Sequence, residues 1–375
     1  MVRKPLTVVQ LLPALDAGGV EKGTLELARY LVHYGHRAIV ISDGGRMLPA
    51  LLDAGAEHLR WNIGAKSPRT LRWVPRLRKK LREYQPDILH LRSRLPAWIG
   101  YLAWRGIPHE LRPHLITTVH GMYTVGRYSS IMMRGERVIA VSQATRDYIR
   151  NHYPNLQSNR IRVIHRGVDP ADYPYGYRPS DDWQRDWFST YPLTRNKYLI
   201  TLPARITRLK GHKDFIEVIR NLKDLGLPVH GLIVGAPHPR KRRLPIEIRD
   251  KITSEKLAQD ISLTGHRSDL REIMALSNVV LSLSREPESF GRTTIEALSL
   301  GIPVAGFNHG GVGEQLREVF PQGQVPVGDI RAIVGKIQAW YRGNPVVPAE
   351  HPFRLQSMLG KTMQLYEEVV SQHKG

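Results

Sequence analysis

Ser284-Arg285-Glu286-Pro287-Glu288-Ser289-Phe290-Gly291-Arg292-Thr293-Thr294-Ile295-Glu296-Ala297-Leu298-Ser299-Leu300-Gly301-Ile302-Pro303-Val304 is the stretch that decides the fold. Two carboxylates, Glu288 and Glu296, stand eight positions apart with Phe290-Gly291 between them. Upstream, Asn278 to Ser284 is a short apolar run suited to a buried strand. Downstream, Thr293 to Leu300 has helical character, with Glu296 about two turns in, and Gly301 with Pro303 stops it. The stretch therefore predicts strand, turn and helix. Such a turn aims backbone N–H groups and the positive end of a helix at one point, a seat for phosphate. Glu288 and Glu296 can then accept hydrogen bonds from hydroxyl groups beside that seat. A βαβ unit with two surface glutamates is the plain alternative.

One anion seat with two hydroxyl acceptors suits a sugar nucleotide. The whole string resembles the signature of the retaining glycosyltransferases of family 4: Glu, seven residues, Glu, with Phe-Gly inside and Gly-x-Pro-Val after. The resemblance covers nearly the whole chain. It implies an α/β protein of GT-B fold, with two Rossmann-like parallel-sheet domains and a cleft between them.

The composition agrees with that size and class. A chain of 375 residues with 41% apolar content is comfortable for two domains. There is no cysteine, so neither disulfides nor thiolate metal sites arise. The apolar run at the N-terminus is too short for a secretory signal and reads as a first strand. No stretch reaches the length needed to span a bilayer. The expectation is a cytoplasmic protein, held peripherally on the inner face of the cytoplasmic membrane. A net charge of +21 attracts anionic lipid, nucleic acid or anionic substrates. No zinc-finger, RNP or basic-zipper pattern favours nucleic acid.

Strands alternate with helices through the first half, as in a parallel sheet covered on both faces. Strands are expected at Leu6–Leu12, Arg37–Ser42, Ile88–Leu91, Leu115–His120, Arg137–Val141 and Ile161–His165. Helices are expected at Gly19–Tyr34, around Ala97–Trp104 and after Ser142, which is a good N-cap. Residues 167 to 197 carry four prolines without periodicity and read as linker and irregular segment. The alternation then restarts, with strands at Tyr198–Pro203, Val229–Gly235, Ile261–Thr264, Asn278–Ser284 and Ile302–Phe307. The expected domains are residues 1–168 for the acceptor, 169–352 for the nucleotide sugar, and a helix within 353–375 that returns to the first domain.

Ligands of open parallel sheets sit at the carboxyl ends of the strands, and the remaining motifs lie at such ends. Gly18-Gly19 follows the first strand and opens the first helix, and glycine lets a ligand approach the backbone. The Gly-x-Gly-x-x-Gly dinucleotide spacing is missing there. The resemblance implies that Gly18 and Gly19 lie under the donor phosphates. It implies that His120, at the end of Thr117-Thr118-Val119-His120, hydrogen-bonds the donor sugar. Ala204-Arg205-Ile206-Thr207-Arg208-Leu209-Lys210-Gly211 resembles the family's Gly-Arg-Leu…Lys-Gly, with Ala204 in place of the first glycine. Arg205 and Lys210 would clamp the diphosphate, one as a bidentate fork and the other as a point charge. They would stabilise the charge that develops on the leaving nucleoside diphosphate.

Gly265, after the strand Ile261–Thr264, would border the nucleobase. Phe290, Gly291 and Glu296 complete the donor set implied by the resemblance. His120, Arg205, Lys210 and Glu288 form the catalytic set. Asn308 to Glu314 resembles the family's Gly-Gly-x-x-Glu and reads as structural. No strand-end Asp-x-Asp exists, and Asp181-Asp182 falls in the irregular segment, so no metal and no cofactor are expected. The donor is expected to be a UDP-, GDP- or ADP-linked sugar. Arg166-Gly167-Val168-Asp169 has Arg where the family has Asn. With Leu89-His90-Leu91-Arg92-Ser93-Arg94-Leu95-Pro96-Ala97-Trp98, it resembles members that build the lipopolysaccharide core. A glycolipid acceptor follows from that.

Ser67 to Tyr84 combines an apolar stripe, Leu71, Val74, Leu77, Leu81 and Tyr84, with seven basic residues against one acid, Glu83. An amphipathic helix packed on its own sheet is the minimal reading. The cation excess adds the expectation of an anionic membrane surface met by Arg72, Arg76, Lys79 and Lys80. A second basic run, Arg240 to Arg243, reads as a solvated loop. Two rival functions remain at this point. A GT-B sugar-nucleotide epimerase would need catalytic carboxylates in the first domain. A basic nucleic-acid-binding protein would leave the Glu288 stretch unexplained.

Overall fold

The strands of this chain are short runs of β-branched and aliphatic residues buried on both faces, the pattern of parallel sheets flanked by helices. In the computed structural model, which describes residues 4–16, 18–237 and 243–372, they assemble into two sheets. The chain divides into two units, Met1–Arg166 with Leu355–Gly375, and Gly167–Arg354. The basic run Arg240–Arg242 lies outside the described residues.

The first unit runs β1 (Thr7–Leu11), α1 (Gly19–His33), β2 (Arg37–Ser42), α2 (Leu48–Asp53) and β3 (Glu57–Arg60). A 3₁₀ turn at Pro68–Arg72 leads into α3 (Trp73–Tyr84), then β4 (Ile88–Leu91), α4 (Arg94–Arg105) and β5 (His114–Val119). β6 (Arg137–Ala140), α5 (Gln143–His152) and β7 (Ile161–Val163) follow. The sheet order is β3-β2-β1-β4-β5-β6-β7, all parallel. Ser142 caps α5 as expected, its Oγ accepting from Thr145 N at 2.9 Å.

The second unit runs α6 (Asp181–Thr190), β8 (Tyr198–Pro203), α7 (His212–Asp224), β9 (Val229–Val234), α8 (Arg243–Ser254) and β10 (Ile261–Gly265). It continues with α9 (Leu270–Leu276), β11 (Val279–Ser282), α10 (Arg292–Ser299) and β12 (Val304–Phe307). α11 (Gly310–Val319), β13 (Gln324–Val325) and α12 (Ile330–Arg342) complete it. Its sheet order, β10-β9-β8-β11-β12-β13, repeats the doubly wound pattern. Each sheet reverses its winding beside its first strand, between β1 and β4 and between β8 and β11.

The last helix, α13 (Leu355–Ser371), belongs to the first unit. Its Met358, Leu359, Met363, Leu365, Tyr366 and Val369 are buried in the core formed with α1, β1 and β2. Six such side chains, each worth about 1.5–3 kcal/mol on burial, make α13 a structural part of that unit. Tyr366 OH also bonds His90 Nδ1 on β4 at 2.6 Å.

Several expectations need correction. Residues 181–190 are a helix, capped by Ser180 Oγ accepting from Trp183 N at 3.3 Å. Asp181 and Asp182 therefore sit in a helical first turn, where carboxylates favour the dipole. Ser67–Tyr84 is not one helix, because Pro68 starts a tight turn before Trp73. Leu71 is exposed, and Trp73 takes its expected place in the core. Glu296 lies one turn into α10, not two, because the helix starts at Arg292.

Candidate active site

The site on the second unit is built at the point where its sheet reverses. β8 ends at Pro203 and its loop carries Arg205 and Lys210 into α7. The neighbouring β11 ends at Ser282 and its loop carries Glu288 into α10. The two loops touch. Gly211, at φ +68°, is so close that a Cβ there would lie 2.1 Å from Leu283 O. Only glycine fits, for its conformation and for its size.

This closure brings Lys210 Nζ to 2.7 Å from Glu288 Oε1. Ser284 Oγ donates to the same carboxylate oxygen at 2.6 Å. Glu288 is held from the far side too, its backbone O accepting from Gly311 N at 2.7 Å. His309 Nε2 donates to Ser284 O at 2.6 Å, which fixes the turn's other end. Arg285 forks onto Asp214, with bonds of 2.8 and 2.6 Å, tying the β11 loop to the first turn of α7. A cavity of about 300 Å³ opens beside that turn, lined in part by Arg208, Gly211, Lys213 and Arg285. Arg205 is exposed on the same loop as Lys210.

α10 begins behind Gly291, at φ +82°, where a Cβ would press on Val312 Cγ2 at 2.6 Å. A glycine cap has no side chain to satisfy the first-turn N–H groups, and Glu288 Oε2 lies 3.8 Å from where a Gly291 Cβ would stand, so a carboxylate already sits beside this positive helix end. The Phe290 ring does not line an open site. Phe290 is 4% exposed, its ring packs edge-on against Phe353 at 5.8 Å, and its carbonyl accepts from Gln315 Nε2. It anchors the loop in the core instead. Glu296 is 6% exposed and pairs with Arg292 at 3.4 Å. Tyr173 also bonds it, and burial followed by that carboxylate raises the Tyr173 phenol pKa. Gly265 ends β10 at φ +71° with open space around its Cα, so its backbone is accessible.

The first unit carries its own cluster, also at carboxyl strand ends. Gly18 and Gly19 are exposed between β1 and α1. His120 follows β5, and its backbone N donates to Tyr123 OH at 3.3 Å. Arg166, after β7, is 7% exposed and joins them. Its Nη2 donates to His120 Nδ1 at 2.9 Å and to Gly19 O at 3.3 Å. Burial, then the charges of Arg166 and Arg92 and the ring of His90, lower the His120 pKa well below its ordinary value. Arg92, after β4, is itself buried, donates to Gln10 Oε1 at 3.0 Å, and is pushed down to about 10 by burial. The sequence reading passed over Arg92, Ser284, Asp214, Arg285 and Tyr173. Arg166 stood out there as a departure from the family's Asn and as part of the Arg166–Asp169 string that resembles core-building members.

Among the expected membrane contacts, Arg72, Arg76 and Lys79 are exposed. Arg72 and Arg76 lie over the Trp73 ring at 4.9 and 5.0 Å. Lys80 is less free, paired with Glu83 at 3.0 Å. Among the described residues, no three His, Asp or Glu side chains gather as a metal-holding group. No described helix is long and apolar enough to cross a membrane.

Comparison with known proteins shows the family. The family described as Glycosyltransferase Family 4 matches residues 17–172, and Glycosyl transferases group 1 matches residues 184–354. A glycosyltransferase of Rickettsia africae ESF-5 is 30% identical, with 98% of this chain and 99% of that one covered and a TM-score of 0.85. Anabaena HepE, solved with UDP and glucose, is 17% identical, with coverage of 97% and 100% and a TM-score of 0.82, a likeness of fold. The alpha-maltose-1-phosphate synthase of Mycolicibacterium smegmatis is 24% identical over 247 residues, 60% of this chain and 61% of that protein. The match spans 54–61% of the length of the first curated relatives. Both sheets and these matches agree: the chain belongs to the group 1 glycosyltransferases of GT-B fold, its first unit being a Glycosyltransferase Family 4 domain.

Proposed function

We propose that this protein is a retaining hexosyltransferase that moves a sugar from a nucleotide-sugar donor to a membrane-associated glycolipid of the lipopolysaccharide core. The Lys210–Glu288 pair beside the glycine-capped start of α10 carries the reading, because it sets a cation and a hydroxyl acceptor side by side. The donor diphosphate takes the helix end, with Arg205 and Lys210 as its counter-charges. Glu288 accepts from sugar hydroxyls, and Glu296 accepts from the ribose. Gly265 offers backbone groups to the nucleobase. On the first unit, Gly18, Gly19 and His120 meet the sugar and phosphates.

The acceptor hydroxyl attacks on the face from which the diphosphate departs. The anomeric carbon–phosphate oxygen bond breaks as the new carbon–oxygen bond forms. The departing oxygen keeps the electron pair and takes the acceptor's proton. Arg205, Lys210 and the helix end stabilise the growing negative charge, so the reaction proceeds without a metal. Arg72, Arg76, Lys79 and Lys80 bring the enzyme to the anionic inner face of the cytoplasmic membrane. The resemblance of Arg166–Asp169 and of Leu89–Trp98 to core-building enzymes supports the acceptor class.

The test has two stages. The full chain is heated with UDP, GDP, ADP and their sugars, since a ligand of the native state at 100 times its Kd adds about 2.7 kcal/mol. The stabilising donor is then incubated with truncated lipopolysaccharide core, and the anomeric coupling of the product is read by proton NMR. A raised midpoint and a product that keeps the donor's anomeric configuration are expected. Stabilisation by no nucleotide would overturn the donor site, and an inverted product would overturn retention.

A further inference from the structure

Arg166 occupies a position that nothing in glycosyl transfer by itself requires. It is buried, yet its guanidinium reaches three groups on three elements: His120 Nδ1 at 2.9 Å, Gly19 O at 3.3 Å and Met358 Sδ at 3.5 Å. A hole in α1 makes room for it. A Cβ on Gly23 would lie 2.3 Å from Arg166 Nη1, so this helix interior keeps a glycine at a cost in helix stability relative to alanine. Such a cost in mid-helix is consistent with the guanidinium having a use.

A guanidinium only donates hydrogen bonds. The ring nitrogen that it faces must therefore accept, and a neutral imidazole with one accepting nitrogen carries its proton on the other. We infer that Arg166 is a positioning residue that fixes His120 as the Nε2–H form, so that His120 offers the donor substrate a hydrogen bond to one of its oxygens and serves as no base. The same guanidinium holds Gly19 O, so the histidine and the glycine turn keep one spacing. Burial, the charges of Arg166 and Arg92, and His90 beside them oppose protonation of the ring, while Tyr123 turns its hydroxyl to the His120 backbone. The partner oxygen of His120 is thus a hydroxyl or phosphate oxygen of the sugar nucleotide, and the acceptor's proton leaves by another route. The substrate side of this inference rests on the function proposed above; the ring's proton position does not.

The test uses the full chain labelled with ¹⁵N-histidine. Two-bond ¹H–¹⁵N spectra of the wild type and of His120→Gln identify the His120 ring by difference. We expect the Nε2–H pattern, unchanged from pH 8 to pH 5.5. Arg166→Met should give a ring that titrates in that range or mixes tautomers, with kcat/KM falling about ten- to a hundredfold as for a lost charged hydrogen bond. Arg166→Lys, still a pure donor, should restore the Nε2–H pattern and part of the activity. It also serves if the Met variant does not fold. A protonated or Nδ1–H ring in the wild type would overturn the inference. So would an Arg166→Met protein with the wild-type ring pattern, even with activity lost. Absence of transfer with every donor, beside the expected spectra, would instead sink the proposed function and leave the Arg166–His120 relation standing.

Discussion

Lys210 Nζ and Glu288 Oε1 stand 2.7 Å apart, on loops that leave adjacent strands of one sheet. Both side chains are less than a third exposed. Each therefore satisfies the other before any ligand arrives, and a ligand must share them. Lys210→Ala and Glu288→Gln are each expected to lower transfer at least tenfold, Lys210→Ala mainly in donor affinity and Glu288→Gln mainly in turnover. The double variant should lose less than the product of the two. The coupling from such a cycle should fall in the range of about 0.5–3 kcal/mol found for contacting residues. Strict additivity, or wild-type turnover in Glu288→Gln, would remove this pair from the site.

Glu296 answers to Tyr173 as well as to Arg292. Tyr173→Phe removes one hydrogen bond and leaves the carboxylate in place. Glu296→Gln removes the charge and leaves a partly buried Arg292 less well paired. The first should weaken donor binding modestly, and the second by about 1–3 kcal/mol, as for a lost charged hydrogen bond. Titration calorimetry with the nucleoside diphosphate that stabilises the protein measures both. Equal affinities across wild type and both variants would show that the ribose lies elsewhere.

Activity should survive EDTA. The proposed counter-charges are Arg205, Lys210 and the end of α10, none of which a chelator removes. Transfer rates with and without EDTA, then with added Mg²⁺, make the check. Loss in EDTA with recovery in Mg²⁺ would replace the metal-free mechanism.

Acid should destabilise the protein well before its carboxylates titrate. Burial lowers His212, His230 and His351 to about 4 in the folded chain. Their unfolded values are near 6.5. Between these limits the unfolded chain holds protons that the folded chain does not, so stability falls as pH falls. It is fully present above about pH 6.5 and drops progressively toward pH 4. His230→Gln, which retains a donor for Ser262 Oγ, should flatten part of that slope in thermal scans across this window. An unchanged slope would show that His230 charges freely in the fold.

Binding to anionic vesicles should exceed binding to neutral ones and should vanish at high salt. Each basic side chain near the surface is worth about 1 kcal/mol within a Debye length. Replacing Arg72, Arg76, Lys79 and Lys80 by Glu should abolish vesicle sedimentation. Nucleotide stabilisation should persist, since the second unit is untouched. Sedimentation equal to wild type would leave α3 as a solvated face and move the membrane contact elsewhere.

The central strands were legible because their residues are apolar in unbroken runs, and Arg37–Ser42, Ile88–Leu91 and Tyr198–Pro203 fell where periodicity put them. What escaped had weak local signal. β3 is an edge strand whose Glu57 and Arg60 are exposed, so it alternates too little to stand out. β13 is two residues long. α6 hides among prolines, and its Trp183 and Trp187 stack on each other at 5.3 Å, a pairing that no apolar stripe announces. The strand, turn and helix around Glu288 and Gly291 were legible from motif and spacing. The burial of the Phe290 ring was not legible, because a loop phenylalanine can serve the core as readily as a ligand. Tyr173 and Arg166 act through partners 123 and 46 positions away, distances at which sequence pattern says nothing.

The helix α13 completes the core of the first unit, yet roughly 190 residues of the second unit separate it from β7 in the chain. At about 5–20 residues per second, a ribosome needs on the order of 10–40 seconds to cover that distance. Throughout that interval the nascent first unit lacks Tyr366 against His90 and leaves the apolar surface of Leu25, Leu27 and Leu31 uncovered by α13. Synthesis thus passes through a stage in which a nearly finished sheet presents a sticky face, while the second unit, continuous in sequence, is free to fold on emergence. The first unit to begin emerging is thus the last whose chain is complete.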